Sequence, residues 1–391
     1  MTITRAQRRP TQHACPLAAV GEPLTIACST ATSPGPRQGV DGRRYGSPVP
    51  PPVLPAALQH RPMHPDDAPA WADLLAVIEE VDGTGEHHSA ADLARELADP
   101  DLDLDHDSVL VLDGGRPVAY QVLRLRAGPD GNVVHTDGGV HPAFRARGLG
   151  SYLLDLAQRR AGDLDAGLQV RVPAHVADAV ALAEGAGFVA ARWWSTLHRD
   201  LTRPVEPAPL AEGLELHLLG PGYDAVRWDE PLRAARNASF TGHFGSAPES
   251  ADTFAHHRTG SRAFRSECSA AACTPDGQVV GFLLAFEYDA RTAATGNRDL
   301  YVMTVGTLEP WRGRGIGGAL LGHALLRAQE QGFGSSSLTV DEENATGALG
   351  VYTRAGYGVA SRAVTYVPTL WPASRRFPVR ESPDSGARVD G

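Results

Sequence analysis

The chain contains no lysine; all 36 of its lysine-type or arginine-type basic side chains are arginine. It therefore cannot modify lysine side chains of its own. It also lacks any run of basic residues, and its formal net charge is −10. Proteins that bind nucleic acid usually present a basic patch or stripe. The composition thus argues against a nucleic-acid partner.

Cysteine is scarce, and long apolar runs are absent. The four cysteines are Cys15, Cys28, Cys268 and Cys273. They form no zinc-site spacing, and the first two lie in a segment that we expect to be disordered, so we predict no disulfide framework and a cytoplasmic location. No apolar run approaches the length of a membrane span, so no membrane partner is expected. The pairs His87-His88 and His256-His257 lack a third ligand at useful spacing, so no metal is predicted.

The length of 391 residues allows two domains of ordinary size. Two proline-rich stretches, Pro48–Pro55 and Arg203–Pro209, mark the edges of the first domain; the second of them is typical of an extended linker. The predicted divisions are a disordered arm (1–56), a first domain (57–202), a linker (203–213), a second domain (214–367) and a flexible tail (368–391).

The hydrophobic pattern predicts the same order of elements in both domains: a strand, two helices, a three-strand meander, a helix, a strand, a helix and a closing strand. In the first domain we expect a strand pair that ends near Leu201. The fold class is α/β, with a mixed, mostly antiparallel sheet flanked by helices in each domain.

A glycine-rich turn follows the third strand of the second meander. Leu300–Val305 is predicted to be a strand, Arg312–Gly317 a turn, and Ala319–Gln329 a helix. The first N–H groups of a helix lack internal partners and lie at its positive dipole end, so this arrangement predicts an anion site. Arg312 and Arg314 add positive charge suited to phosphate contacts.

The same turn occurs twice. Residues 139–150 read GVHPAFRARGLG and residues 306–317 read GTLEPWRGRGIG, 167 residues apart and aligned without a gap. Each copy has an aromatic residue before its first arginine (Phe144 and Trp311) and lies between a predicted strand and a predicted helix. Two aligned copies in matching contexts indicate a repeated function rather than a chance glycine-rich loop.

Arg-x-x-Gly-x-Gly between a strand and a helix resembles the acyl-CoA pyrophosphate motif of the GNAT superfamily of N-acetyltransferases. Two such domains in tandem resemble the arrangement of mycothiol synthase and related actinobacterial acetyltransferases. The resemblance covers roughly residues 57–367 and implies acetyl-CoA as co-substrate. The residues that it implies as CoA contacts are Val305, Gly306, Thr307, Arg312, Gly313, Arg314, Gly315, Ile316, Gly317, Gly318 and Asn344 in the second copy, and Gly139, Val140, Arg145, Arg147, Gly148 and Gly150 in the first.

The family resemblance also implies a catalytic acid. In the family a tyrosine after the fifth strand protonates the departing thiolate, and Asn344 to Tyr357 fits its pattern, with Tyr352 as the proposed acid. The alternative is that Tyr352 is a packing aromatic. The first copy has Ala183 at the matching position, and His175, in place of Asn344, fits a surface histidine equally well. We therefore expect the second domain to react and the first at most to bind.

The base that deprotonates the amine is less clearly defined. Asp299 and Tyr301 share one face of the strand before the loop, and Glu287 ends the neighbouring strand. Tyr301 stands where the resembled mycothiol synthases place a glutamate. Asp299 and Glu287 are the candidate bases, acting through water, although each also fits a solvated charge.

Two other interpretations remain. Gly313–Gly318 also matches G-x-G-x-x-G, with Asp341 at the end of the next strand, as in dinucleotide-binding units. A Rossmann turn follows its strand at once, however, whereas six residues intervene here. The second interpretation is a non-catalytic acyl-CoA-binding or sensor protein, against which Tyr352 counts. We expect an N-acetyltransferase that acts on a primary amine of a small molecule; the acceptor and oligomeric state stay open.

Overall fold

A computed structural model of the chain describes residues 53–128, 131–241, 246–343 and 347–369. Most of the predicted arm (1–56) and tail (368–391) lies outside these ranges. The first half consists of β1 (Leu58–Arg61), α1 (Ala68–Asp82), α2 (Ala90–Leu97), α3 (Leu104–Asp107), β2 (Ser108–Asp113), β3 (Arg116–Gly128), β4 (Gly131–Val140), α4 (Leu149–Asp163), β5 (Gly167–Pro173), α5 (Ala177–Gly185) and β6 (Phe188–Asp200).

The second half repeats the predicted order of elements, although none of its described α-helices corresponds to α3. It consists of β7 (Glu215–Leu218), α6 (Ala225–Ser239), α7 (Ala251–Phe254), β8 (Ala270–Cys273), β9 (Val279–Phe286), α8 (Asp289–Thr295), β10 (Asp299–Thr307), α9 (Ile316–Glu330), β11 (Ser335–Asp341), α10 (Ala348–Arg354) and β12 (Gly358–Pro368). Helix α8, which joins β9 to β10, was not predicted. The predicted mixed α/β class is confirmed.

Local sequence explains where several helices begin. At the start of α2 the Ser89 hydroxyl accepts a hydrogen bond from the Asp92 N–H, and the Asp92 carboxylate accepts one from the Ser89 N–H. This capping box satisfies two N–H groups that the helix cannot pair internally, as the sequence predicts. Helices α4 and α9 begin instead after Gly148 and Gly315, which take left-handed backbone angles that favour glycine.

All twelve strands form one sheet, in the order β1-β2-β3-β4-β5-β12-β6-β11-β10-β9-β8-β7. The order is symmetric about the β12/β6 pair. Strand β6 of the first half pairs with β11 of the second, and β12 of the second half pairs with β5 of the first. The two halves thus exchange their last strands.

The strand exchange explains one wrong prediction. We expected a strand pair ending near Leu201, but Phe188–Asp200 is a single strand. This segment contains no Gly, Pro or Asn, so it lacks the residues that favour a tight turn most strongly. The partner that a hairpin would have supplied comes from the other half of the chain, as β12.

The exchanged strands also exchange core residues. Leu197 and Leu201, from the end of β6 and just after it, pack in the core of the second half beneath α9 and α10. Val364 and Tyr366 of β12 pack in the core of the first half with α4 and α5. On the opposite face of the sheet, α1 and α2 cover the first half and α6 and α7 the second.

The predicted linker lies against the second half rather than apart from it. Gln329 of α9 donates hydrogen bonds to the carbonyls of Leu201 and Arg203, at 2.7 and 3.1 Å. Val205 joins the core beneath α9, and a Cβ on Gly322 would lie 2.8 Å from the Cα of Pro207. The domain boundaries themselves remain predictions.

Candidate active site

The glycine-rich loop of the second half has the geometry that an anion site needs. Gly313 and Gly315 have φ values of 75° and 77°, and a Cβ on either would meet no atom within 4 Å. The first intrahelical bond of α9 runs from the Ala319 N–H to the Gly315 carbonyl, at 3.0 Å. The N–H groups of residues 316–318 therefore have no partner within the helix, and open space lies beside the glycines.

The loop of the first half has the same backbone conformation. Ala146 (φ 57°) and Gly148 (φ 84°) occupy the positions of Gly313 and Gly315. In both loops the first arginine donates through Nε to a carbonyl at the end of the preceding strand: Arg145 to Val140 at 3.1 Å, and Arg312 to Thr307 at 3.2 Å. An alanine with a left-handed backbone is strained, so the shared conformation is imposed by the structure around it.

The two loops differ in what their first arginine contacts next. Arg145 makes a bidentate ion pair with Asp82 at the end of α1, with N–O distances of 2.7 and 2.8 Å. Arg312 donates instead to the Ser239 carbonyl at the end of α6, at 3.1 Å. A carboxylate neutralises the Arg145 guanidinium in the first half, whereas its counterpart Arg312 contacts a backbone carbonyl in the second.

The second arginine of each loop stacks on the loop's aromatic residue. The Arg147 Cζ lies 5.1 Å from the Phe144 ring centre, and the Arg314 Cζ lies 4.7 Å from the Trp311 ring centre. Both guanidinium groups are exposed, so their positive charge stays available at the loop surface.

A split in the sheet leads from each loop. Strands β10 and β11 are parallel and pair only from Asp299↔Ser335 to Tyr301↔Ser337, after which no pairing joins them. Strands β4 and β5 likewise pair only from Val133↔Gly167 to Thr136↔Val170. Each half therefore opens a V-shaped slot that ends at its glycine-rich loop. In the second half the ladder between β10 and β9 skips Met303, which marks a bulge beside the slot.

Other predicted contacts of the second loop line this slot or support it. Val305 is buried beneath α9, and a Cβ on Gly306 would lie 2.4 Å from the Phe282 ring, so only glycine fits there. A Cβ on Gly317 or Gly318 would make only ordinary contacts, at 3.7 Å or more. Asn344 lies outside the described residues.

Tyr352 lies on α10 and is 2% exposed. Burial, and to a lesser degree the nearby Tyr301, raise the pKa of its phenol above the ordinary value, so the hydroxyl keeps its proton at neutral pH. Its ring meets Tyr357 edge-on, with 6.1 Å between ring centres. The Tyr357 hydroxyl lies 2.6 Å from the Ser336 hydroxyl, whereas the Tyr352 hydroxyl makes no hydrogen bond with any described residue.

The matching positions of the first half lack this hydroxyl. Ala183 on α5 is buried in the core of that half. His175, opposite Asn344 in the alignment, is exposed, and its Nε2 lies 2.9 Å from the Asp82 carbonyl. The first half therefore has the loop and the slot without a tyrosine at the position that matches Tyr352.

Both candidate bases are already engaged within the fold. Asp299, 3% exposed, accepts hydrogen bonds from the hydroxyls of Ser335 and Ser337. Glu287 is paired with Arg265 and Arg298 at 2.7–2.9 Å. Burial favours the neutral form of Glu287, but these two arginines outweigh it and lower the pKa of the carboxyl.

Tyr301, which replaces the glutamate of the resembled enzymes, is 3% exposed and donates to the Thr339 hydroxyl at 3.3 Å. Its ring clusters with Phe286 and Met303 on the face of β10 that points away from α9. This face adjoins a cavity that sequence reasoning missed.

The cavity lies between the two halves. Its first-half lining comes from the segment after α1, from α2 and from β3; its second-half lining comes from the segment after α7 and from the end of β9 onward. The lining residues are Gly85, Glu86, His87, His88, Asp92, Arg95, Glu96 and Arg124 from the first half, and His256, His257, Ser261, Ala263, Phe286, Tyr288 and Arg291 from the second. Both histidine pairs of the sequence therefore lie at one site.

Contacts across the cavity join the two halves. Arg95 donates to the His256 carbonyl, and the His256 imidazole lies 3.1 Å from the Arg95 carbonyl. His257 lies 3.1 Å from Asp99. Within the lining, burial lowers the pKa of His88, but its neighbour Glu86 outweighs burial and raises it overall. Among the described residues, no group of three or more His, Cys, Asp or Glu side chains is arranged to hold a metal ion.

A sheet that splits beside a glycine-rich helix N-terminus, with a protonated phenol near one split, defines the class: an acyl-CoA-dependent acyltransferase. The sequence model of the acetyltransferase (GNAT) family matches residues 71–188 and 231–357, one match in each half. The chain belongs to this family, and it is an acyltransferase with two GNAT regions in tandem.

Known relatives agree with this assignment. The chain is 30% identical over 299 residues to a mycothiol acetyltransferase of Thermobispora bispora, covering 75% of this chain and 93% of the relative. It is 28% identical to the mycothiol acetyltransferase of Streptomyces coelicolor, covering 73% of this chain and 87% of that one.

Solved structures show the same architecture. A GCN5-related N-acetyltransferase from Sphaerobacter thermophilus superposes with a TM-score of 0.60 at 28% identity, covering 81% of this chain and 96% of that one. A tandem GNAT protein from the clavulanic acid biosynthesis pathway superposes with a TM-score of 0.58 at 20% identity, covering 81% and 99%. This second likeness concerns the fold alone. No helix among the described residues is both long and apolar enough to cross a membrane.

Proposed function

We propose that the chain transfers the acetyl group of acetyl-CoA directly to the primary amine of a small molecule, and that this reaction takes place in the second half. The observation that carries the proposal is Tyr352, a buried phenol whose hydroxyl has no partner among the described residues. Its helix packs against α9, the helix that the glycine-rich loop opens.

The loop of the second half fits the pyrophosphate of a CoA thioester. The N–H groups of Ile316, Gly317 and Gly318 have no partner within the helix, and Gly315 leaves open space where a side chain would stand. Arg312 and Arg314 add charge suited to phosphate oxygens. Acetyl-CoA, when bound, supplies an acetyl group activated as a thioester.

The residues around the slot then act on that group. The bulge at Met303 interrupts the ladder between β9 and β10, which leaves backbone N–H available to polarise the thioester carbonyl. Tyr352 holds the proton that the departing thiolate needs. Asp299 and Glu287 are the candidate bases for the amine, each acting through water. The two arginine partners lower the pKa of Glu287, and the Asp299 carboxylate already accepts hydrogen bonds from two serine hydroxyls, so both are supported less well than Tyr352.

The cavity between the halves is the proposed route of the acceptor. It adjoins the Tyr301 face of β10, opposite the face that packs on α9. The relatives named mycothiol acetyltransferases support a small-molecule acceptor. The first half, with a loop and slot but with Ala183 in place of a tyrosine, is proposed to bind acyl-CoA without reacting.

The proposal is tested by incubating the purified chain with acetyl-CoA and a panel of primary amines, with thiol release as the readout. We expect release that depends on one class of amine, with an acetylated amine as the product. Binding of acetyl-CoA without amine-dependent release from any member of a broad panel would contradict amine acetylation.

A further inference from the structure

One face of the shared sheet carries polar groups from both halves. Residues paired across neighbouring strands share a face, and side chains alternate along each strand. The pairs Arg171↔Thr365, Trp194↔Asp341 and Tyr301↔Ser337 belong to this face. Side chains of the first half thus stand on the same side of the sheet as Tyr301 of the reacting half.

Arg171 of β5 differs from the other arginines in this region. Its guanidinium carbon lies 4.4 Å from the centre of the Trp194 ring, and its Nε is buried without a hydrogen bond. No carboxylate among the described residues pairs with it, and none of its nitrogens forms a hydrogen bond there. By contrast, Arg124 is paired with Glu96, and Arg95 donates to a carbonyl.

A second polar side chain beside Arg171 is also unpartnered. Gln169 lies two residues earlier on β5, on the same face, and is 2% exposed. Its side-chain carbonyl oxygen is buried and accepts no hydrogen bond in the described part of the chain. Buried polar groups in native proteins are nearly always paired, so these two atoms indicate a ligand with both kinds of group: an acceptor for the Arg171 Nε–H and a donor, such as an ammonium or hydroxyl group, for the Gln169 oxygen.

The electrostatic surroundings place this cluster beside the proposed acceptor route. The groups that act most strongly on Arg171 are Tyr301, Glu86 and Asp341, of which Glu86 lines the cavity between the halves. Burial lowers the pKa of Arg171 to about 10, although the residue as a whole is half-buried. A ligand carboxylate or phosphate would supply the hydrogen-bond acceptors that its nitrogens lack, against the opposing charges of Glu86 and Asp341.

The geometry points to an acceptor that carries an anionic group, a carboxylate or a phosphate, in addition to its amine, with Arg171 as the residue that binds the anion. This inference rests on the proposed function, since it names the acceptor of the same reaction. It makes the first half a contributor to substrate choice, because Arg171 is on β5 while Tyr352 is on α10.

The test uses matched pairs of amines that differ by one anionic group. L-serine is compared with L-serinamide, and 2-aminoethyl phosphate with ethanolamine, by kcat/KM for thiol release and by equilibrium binding in the presence of CoA. For the full chain we expect the anionic member of at least one pair to be preferred roughly 10- to 100-fold, the worth of a charge-assisted hydrogen bond. The pair that shows the preference tells a carboxylate from a phosphate.

The variant Arg171→Met keeps the length of the side chain and removes its charge. We expect the ratio of kcat/KM between the anionic and the neutral amine to fall to about one. Tm should be unchanged or raised, because a half-buried cation without an ion pair is replaced by an apolar chain. Arg160→Met is the matched control. Arg160 of α4 is paired with Asp107 of α3 at 2.7 Å, so this variant should keep the preference for the anionic amine even if Tm falls.

The outcomes separate the inference from the proposed function. Turnover of neutral amines with no preference for either anionic member would overturn the inference and leave the proposed function standing. An unchanged preference in Arg171→Met would overturn it as well. If no amine is turned over, the proposed function fails, and the binding experiment still decides whether Arg171 selects an anion.

Discussion

The two halves carry the same loop, slot and sheet edge but differ at a few side chains. Arg145 and Arg312 each donate a hydrogen bond to the carbonyl at the end of the preceding strand. Arg145 also makes an ion pair with Asp82, whereas Arg312 also donates to a backbone carbonyl of α6. Ala183 stands where the other half has Tyr352. The comparison shows that both halves share the backbone conformation of the loop, while the tyrosine stands at this position only in the second half.

The largest expected effect comes from separating the halves. Fragments 53–213 and 214–369, expressed alone, should not fold. Strand β6 lies between two strands of the second half and β12 between two strands of the first half, and each buries leucine or valine side chains in the other half's core. Circular dichroism and a cooperative unfolding transition are the measurements. Co-expression should restore both. A cooperative transition in either isolated fragment would show that the exchange is dispensable.

Removing the phenol should have the next largest effect. Tyr352→Phe keeps the ring and its packing, so kcat should fall by roughly 10²–10⁴-fold, the usual worth of a general acid, with acetyl-CoA affinity little changed. Tyr357→Phe is the matched control, because that hydroxyl is bonded to Ser336 rather than unpartnered. Equal losses in the two variants would assign the effect to packing instead of proton transfer.

Blocking the glycine-rich loop of the second half should weaken the binding of acetyl-CoA by that half. Gly315→Val puts a branched side chain on a backbone with φ of 77° and into the open space beside the helix N-terminus. Left-handed strain of about 1–3 kcal/mol corresponds to an affinity for acetyl-CoA that is roughly 5- to 150-fold weaker if the loop relaxes to another conformation. Calorimetric titration in a Gly148→Val background isolates the second site. Unchanged affinity there would remove the loop from the site.

The smallest effect concerns the ion pair found in one half. Asp82→Asn should lower the free energy of unfolding by about 1 kcal/mol, since the Arg145 pair is partly exposed. It should leave kcat unchanged, because the first half is not proposed to react. Denaturant unfolding and steady-state kinetics measure the two quantities. A loss of kcat without a loss of stability would place the first loop in the reaction.

Local patterns in the sequence predicted much of this molecule. The repeated loop and the capping box at Ser89 follow from residues that are close in the chain. Strand exchange does not, because the pairing of β6 with β11 is set by partners far away in sequence. The sequence signal for a single strand is the absence of Gly, Pro and Asn between Phe188 and Asp200.

The cavity was missed for a similar reason. The pairs His87-His88 and His256-His257 were judged separately, as failed metal sites, although both line one cavity. Arg171 and Gln169 lie within an ordinary strand pattern. Only the structure shows that the Arg171 Nε and the Gln169 side-chain oxygen have no hydrogen-bond partner among the described residues. Whether a polar side chain is paired depends on tertiary contacts, so no local pattern reports it.

Single-turnover kinetics test the central claim, that the second half reacts and the first only binds. The chain with Gly148→Val and the chain with Gly315→Val are each mixed with an amine acceptor from the panel and with labelled acetyl-CoA at a concentration that just saturates the unmodified chain, and the acetylated product is measured over time. We predict that Gly148→Val forms one product per chain at nearly the unmodified rate, whereas Gly315→Val forms almost none while still binding acetyl-CoA. Product formation in Gly315→Val together with its loss in Gly148→Val would reverse the assignment and contradict this account.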